Sequence, residues 1–266
     1  MINYTERLTD LMRDVVARVP SLACIDLNRV LVFARLGRSH AEGAYASCHC
    51  LTLPESEPGY FFWRDRQTGE VTRRSEWFVT KSPSVEIAGR SIQYLISFAL
   101  PRFTDQSLTR SRKKEFYGRE PGWLAKLDTV IHELYHIDPE GHGLRRAVLP
   151  DGNISPRLHG PTYYQDVARM VRQYLATKPD PSTYEFLRYN FDGLTERYGG
   201  VVCTTFRNYP SYPQRYNERV VLVTAEDQLR DSVRVEPLKP VSQPTRYTER
   251  DLAKRLFTPQ TSIGCQ

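Results

Sequence analysis

The chain has 266 residues, a hydrophobic fraction of 40%, a charged fraction of 26% and a formal net charge of +6. These values are ordinary for a folded domain with a substantial core, and they exclude a low-complexity or collagen-like chain. No apolar run approaches the 18 or so residues of a membrane-spanning helix, so we expect no association with a membrane.

The first predicted element is an amphipathic helix that ends at Pro20. Leu8, Leu11, Met12 and Val15 recur at helical spacing and form one apolar face. Charged residues interrupt this stretch, so it does not read as an export signal. The five cysteines are an odd number with no framework spacing. Together these features predict free thiols and a cytoplasmic location.

Short strands are predicted next at 27–36, 44–53, 59–63 and 76–80, with a hairpin turn at 66–69. The second contains Cys48, His49 and Cys50. In a strand the two cysteines point one way and the histidine the other, so the three side chains do not converge on one metal ion. We therefore interpret them as ordinary strand residues.

Residues 92–100 predict a further strand with one strongly apolar face. At a sheet edge, this strand could pair with an extended peptide; inside a sheet, it would be purely structural. A basic run follows at 110–114. It could contact nucleic acid through electrostatic, sequence-independent interactions, or it could be a solvated loop.

The most informative segment is H-E-L-Y-H at 132–136, in a predicted apolar helix spanning 123–137. His132 and His136 are four residues apart, so both imidazoles project from one helix face and can reach one ion at about 2.0–2.1 Å. Glu133 can then accept a proton from a metal-bound water. This pattern is typical of zinc-dependent hydrolases and predicts one catalytic Zn²⁺.

A catalytic zinc site needs a third protein ligand, and the residues leave two candidates. His142 lies six residues after His136, a spacing that some H-E-x-x-H enzymes use, but Pro139 occupies the position where those enzymes have glycine. His159 precedes another helical pattern, which begins near Tyr164. The residues alone therefore leave both His142 and His159 as candidates for the third zinc ligand.

The motifs together resemble a known family. The chain resembles the zincin-like phage metallopeptidase family in three motifs. These are I-H-E-L-Y-H-I-D-P at 131–139, G-L-R-R at 143–146 and H-G at 159–160, the last followed by Tyr164 and Asp166. The H-G segment is also similar to that of SprT-like metalloproteases. The likeness is strongest over residues 90–175. The segment around His142 departs from the family pattern, which has no histidine there.

The resemblance implies an α+β, zincin-like fold, with a mixed or antiparallel sheet packed on helices, one of which bears H-E-x-x-H. It implies His132, His136 and His159 as zinc ligands and Glu133 as the general base. The accessory candidates are Tyr135, His142, Tyr164 and Asp166. Tyrosine hydroxyls could polarise a carbonyl, and Asp166 could hydrogen-bond a ligand imidazole.

Two adjacent arginines, Arg145 and Arg146, could hold a substrate carboxylate or pair with acidic side chains. A third helix is predicted up to about Tyr198, then strands at 201–206 and 219–224, and a charged helix at 249–257. We expect a metallopeptidase domain over 1–235, followed by a Pro-rich linker and a mostly disordered tail over 236–266.

The predicted function is zinc-dependent hydrolysis of peptide bonds in a protein or peptide substrate. Two alternatives remain. One is a non-catalytic zinc-bearing binding or assembly module of phage or mobile-element origin. The other is a SprT-like protease that acts on DNA-bound proteins.

Overall fold

The computed structural model describes residues 1–39, 42–51, 58–64, 67–68, 71–81, 84–108, 113–118, 120–140, 143–146, 158–207, 214–222 and 246–258. The α-helices within these ranges are α1 Tyr4–Arg18, α2 Lys114–Tyr117, α3 Leu124–Tyr135, α4 Tyr163–Ala176, α5 Pro181–Tyr184 and α6 Phe191–Tyr198. The strands are β1 Ile2–Asn3, β2 Val30–Gly37, β3 Ala46–Cys50, β4 Pro58–Arg64, β5 Val71–Lys81, β6 Ser84–Ile87, β7 Arg90–Ile92, β8 Tyr94–Pro101, β9 Val201–Phe206, β10 Gln214–Leu222, β11 Arg246–Tyr247 and β12 Leu252–Phe257. This arrangement confirms the predicted α+β class.

The central sheet has the strand order β2-β8-β3. Strand β8 runs parallel to β2 and antiparallel to β3, and all of its residues are buried. It is therefore the interior strand, and the alternative in which it forms a sheet edge is wrong. The two edge strands of this sheet both lie next to helices, β2 next to α1 and β3 next to α3.

The two faces of β8 pack into different cores. Ile96, Phe98 and Leu100 belong to the main core, which also receives the buried faces of α1 and α3. Leu95 packs on the opposite side with a smaller cluster that includes Phe33 and Phe206. Since both faces are covered, a strand with polar or small residues at alternate positions is still wholly buried.

Helix α1 follows the prediction closely. Asn3 caps it by accepting a hydrogen bond from the backbone N–H of Glu6, and the chain leaves the helix at Val19, just before Pro20. Its buried side chains include Leu8, Leu11 and Met12. The helix packs against the sheet and α3, so its apolar face is what holds it in place.

The remaining sheets have the orders β1-β9-β12, β10-β5-β4 and β11-β6-β7. Strands β4 and β5 pair antiparallel, as the predicted hairpin requires, and Gln67 and Thr68 form the described part of its turn. The strand predicted at 201–206 is β9, which pairs with β1 and β12, and the strand predicted at 219–224 overlaps β10, which pairs with β5.

The helix predicted at 249–257 is wrong. Thr248 and Asp251 form a capping box, which is a helix-start signal, but only one 3₁₀ turn follows, at Glu249–Asp251. The chain then extends as β12, which pairs antiparallel with β9 along its whole length. Pairing with an available strand edge outweighs the local helix signal. The domain boundary predicted at 235 lies outside the described residues.

None of the helices in the described part of the chain has the length and apolar character needed to cross a membrane.

Candidate metal centre

Helix α3 carries the first two histidines of the site. Almost all of its residues are buried, because it lies between α4 on one side and β3 and α1 on others. His132 and His136 project from one face one turn apart, and their Nε2 atoms are 3.1 Å apart. After the helix, Ile137 forms a β-bridge with Leu144, which folds the chain back beside the site.

The third histidine comes from the segment that precedes α4. The Nε2 atom of His159 lies 3.2 Å from the Nε2 atom of His136. The nitrogen atoms that His132, His136 and His159 offer all lie within 4.8 Å of one another. Among the described residues this is the one group of three or more His, Cys, Asp or Glu side chains that could hold a metal ion. His142, the other candidate, lies outside the described residues.

The separations fit a metal-binding donor set. Three donors about 2.0–2.1 Å from one ion in tetrahedral directions are about 3.3 Å apart, and the two measured Nε2 separations are 3.1 Å and 3.2 Å. A neutral imidazole carries one N–H, so each of these histidines presents a lone pair at Nε2 when its N–H is on Nδ1. The residues present therefore fit a divalent ion with nitrogen ligands.

The histidines are held in the neutral form that a ligand requires. Burial lowers the pKa of His132 to about 2, helped by the charges that His136, Lys113 and His159 would place nearby. Burial and repulsion from His159 lower the pKa of His136 to about 3. Burial also lowers the pKa of His159. At neutral pH protons therefore do not compete for the converging lone pairs.

Glu133 is buried on the adjoining part of the helix, with 4% of its surface exposed. The backbone N–H of Cys48, on edge strand β3, donates a hydrogen bond to its carboxylate. Burial raises the pKa of Glu133 to about 8, against the opposing effects of Lys113, that N–H group and Arg35. A carboxyl group with a pKa near neutrality can both accept and release a proton.

Sequence reasoning missed the polar network beneath Glu133. The ammonium group of Lys113 is 2.7 Å from the carboxylate of Asp128, and the hydroxyl of Tyr117 donates to the same carboxylate at 2.8 Å. Lys113 also donates to Thr129 on α3. The sequence placed Lys113 in a basic run that either contacts nucleic acid or forms a solvated loop, and residues 110–112 of that run lie outside the described residues. An acidic residue at 128 inside an apolar helix was the available signal, because buried carboxylates need partners.

Three tyrosines surround the histidines in different ways. The hydroxyl of Tyr163 donates to the backbone carbonyl of His132 at 3.0 Å, and its ring contacts all three imidazoles. The ring of Tyr135 packs against Tyr163. The hydroxyl of Tyr164 lies 3.4 Å from Nδ1 of His159. When the Tyr164 oxygen accepts a hydrogen bond from Nδ1–H, the imidazole is held in the tautomer that leaves Nε2 free as a ligand.

Asp166 does not take the position that sequence reasoning gave it. Its carboxylate accepts a hydrogen bond from Thr162 at 3.0 Å and pairs with Arg169 at 2.7 Å. It makes no hydrogen bond to an imidazole within the described chain. The Nδ1 atom of His136 is buried without a hydrogen-bond partner. The described neighbour that can orient a ligand ring is therefore Tyr164.

Cys48 and Cys50 form no disulfide bond with a described residue, and they lie on one face of β3 while His49 lies on the other. Cys50 is part of the main core, and Cys48 packs against it. The group of converging metal donors contains none of these three residues. Their alternation is as predicted.

The raised pKa of Glu133 predicts a pH-dependent stability in the metal-free protein. Because the folded state holds the proton more tightly than the unfolded state, the stabilisation is complete below the ordinary value of 4.5 and is lost as pH rises towards about 8. Between pH 5 and pH 8, we expect the chelator-treated wild type to lose at least about 1 kcal/mol relative to Glu133→Gln. Urea unfolding at both pH values measures this difference.

The exposed Glu115, replaced by Gln, is the matched control, and it should follow the wild type at both pH values. Parallel pH profiles for wild type and Glu133→Gln would show that the buried carboxyl group is not responsible.

A scan of protein-family models, a search of curated proteins and a search of solved structures found no match to this chain. The functional argument therefore depends on the residues and their geometry.

Proposed function

We propose that this chain is a zinc-dependent metallopeptidase with a zincin-like site, related to the phage metallopeptidase family. The observation that carries the proposal is the convergence of three Nε2 atoms beside a buried carboxyl group on the same helix. His132, His136 and His159 would hold the ion. When bound, zinc supplies Lewis-acid polarisation of a carbonyl group and lowers the pKa of water.

Glu133 supplies the proton transfers in this proposal. Its carboxylate accepts a proton from the attacking water and then gives that proton to the amine that leaves. Burial raises the pKa of Glu133 to about 8 in the metal-free protein, and a bound divalent cation would lower this pKa and favour the carboxylate that accepts the proton. The hydrogen bond from the Cys48 backbone fixes the direction of the carboxylate, so less reorganisation is needed during the reaction.

Strand β3 offers a way to position an extended substrate. Within the described chain, the strand that β3 pairs with is β8, and the Cys48 N–H on the other edge of β3 donates to Glu133. A peptide that adds to this edge by backbone hydrogen bonds would bring its own peptide bonds close to that carboxylate. The arrangement favours an unfolded or extended polypeptide substrate.

Metal removal tests the proposal. We expect hydrolysis of a denatured protein substrate to stop after treatment with a zinc chelator and to return with one equivalent of zinc per chain. Added calcium should not restore it, because imidazole nitrogens favour zinc over calcium. Mass spectrometry of the products measures the cleavage. Stoichiometric zinc without cleavage of any protein would instead support a binding or assembly module.

A further inference from the structure

Arg145 has an unusually fixed guanidinium group close to the candidate metal centre. Its Nε atom donates to the backbone carbonyl of Tyr135 at 2.9 Å, and its Cζ atom lies 4.3 Å from the centre of the Tyr135 ring. Its backbone N–H donates to the carbonyl of His136 at 2.7 Å. Backbone, Nε and ring stacking together fix both the position and the plane of the group.

The outer half of this group has no protein partner in the described part of the chain. Other arginines pair with acids, for example Arg18 with Asp14 and Arg197 with Glu185. Arg145 forms neither an ion pair nor a further side-chain hydrogen bond with any described residue. Its two Nη groups thus present a planar pair of donors that matches the two oxygens of a carboxylate.

The guanidinium group of Arg145 also lies near the histidines of the candidate metal centre. Its ring partner Tyr135 packs at 5.0 Å from Tyr163, whose ring lies 4.6 Å from that of His159. These contacts place Arg145 within about four residues of extended peptide from the imidazoles.

We propose that Arg145 forms a carboxylate-binding subsite, which selects substrates with a carboxylate a few residues from the cleaved bond. This inference rests on the proposed peptidase function. The carboxylate comes from an acidic side chain or from the C-terminus of the substrate. Pre-ordering of the donor pair by Tyr135 reduces the entropy that binding would otherwise cost.

Peptide binding tests the subsite without relying on turnover. The full-length protein carrying Glu133→Gln is titrated with fluorescent hexapeptides of Ala and Tyr that carry one Glu or one Gln, each with a free or an amidated C-terminus. We expect Kd for the carboxylate peptide to be about 10- to 100-fold lower than for its amide counterpart. Dependence on Glu identifies an acidic side chain, and dependence on the free C-terminus identifies a terminal carboxylate.

Arg145→Gln should abolish this preference, and the matched neighbour variant Arg146→Gln should retain it. The titrations are repeated with chelator, because a carboxylate bound by the metal would lose its advantage there and one bound by Arg145 would not. Arg145→Glu should reverse the preference towards Lys peptides, which a purely structural role for Arg145 would not produce. Thermal unfolding confirms that each variant is folded.

The subsite is overturned if Arg145→Gln keeps the preference, or if the parent protein has none. If the wild-type protein, which retains Glu133, hydrolyses peptides but shows no such preference, the subsite is rejected and the peptidase function is kept. If the preference depends on Arg145 but the wild-type protein hydrolyses no peptide, the binding site is kept and the peptidase function is rejected.

Discussion

We expect Glu133→Gln to lower kcat/KM for peptide hydrolysis by about 10²- to 10⁴-fold, the usual contribution of a general base. Glutamine has nearly the same shape and can still accept the hydrogen bond from Cys48, so the fold and the histidines should be undisturbed. It cannot take a proton from water. The variant should therefore bind as much zinc as the wild type while cleaving far more slowly.

Two measurements separate this role from a structural one. Metal content is determined on the same samples that are assayed for cleavage, and Glu115→Gln, an exposed change on α2, serves as the matched control. If Glu133→Gln cleaves a wild-type substrate at the wild-type rate, the assignment of the base is wrong. If it loses both zinc and activity, the side chain is needed to build the site.

The local parts of this site could be predicted from the sequence. The positions of His132, Glu133 and His136 on one helix follow from its regular apolar pattern, because helix geometry determines which residues share a face. The same holds for α1, whose apolar spacing and flanking proline define it. Such features depend on interactions between residues only a few positions apart.

The non-local parts could not be derived in the same way. His159 reaches the first two histidines only because α4 packs against α3, and spacing alone could not choose between it and His142. The interior position of β8 depends on β3 pairing along its other side. Similarly, the sequence shows Lys113 only as one residue of a basic run, and its ion pair with Asp128 depends on the fold.

The second large effect is expected from His159→Ala. Loss of one of three nitrogen ligands should weaken zinc binding by more than the 10- to 100-fold that changes around a ligand typically cause, so we expect about 100-fold or more. His142→Ala should bind zinc like the wild type. Competition with a chromophoric chelator gives the affinities, and elemental analysis gives the stoichiometry.

Tyr164→Phe tests the same zinc site with a smaller change. It removes the hydroxyl near Nδ1 of His159 and leaves the three ligand nitrogens in place, so zinc affinity should fall by only about 10-fold. The expected order of affinity is therefore wild type and His142→Ala, then Tyr164→Phe, then His159→Ala. If His142→Ala strongly weakens zinc binding and His159→Ala does not, the third ligand is His142 and not His159. That result would also mean that the close approach of His159 to His136 is packing and not coordination.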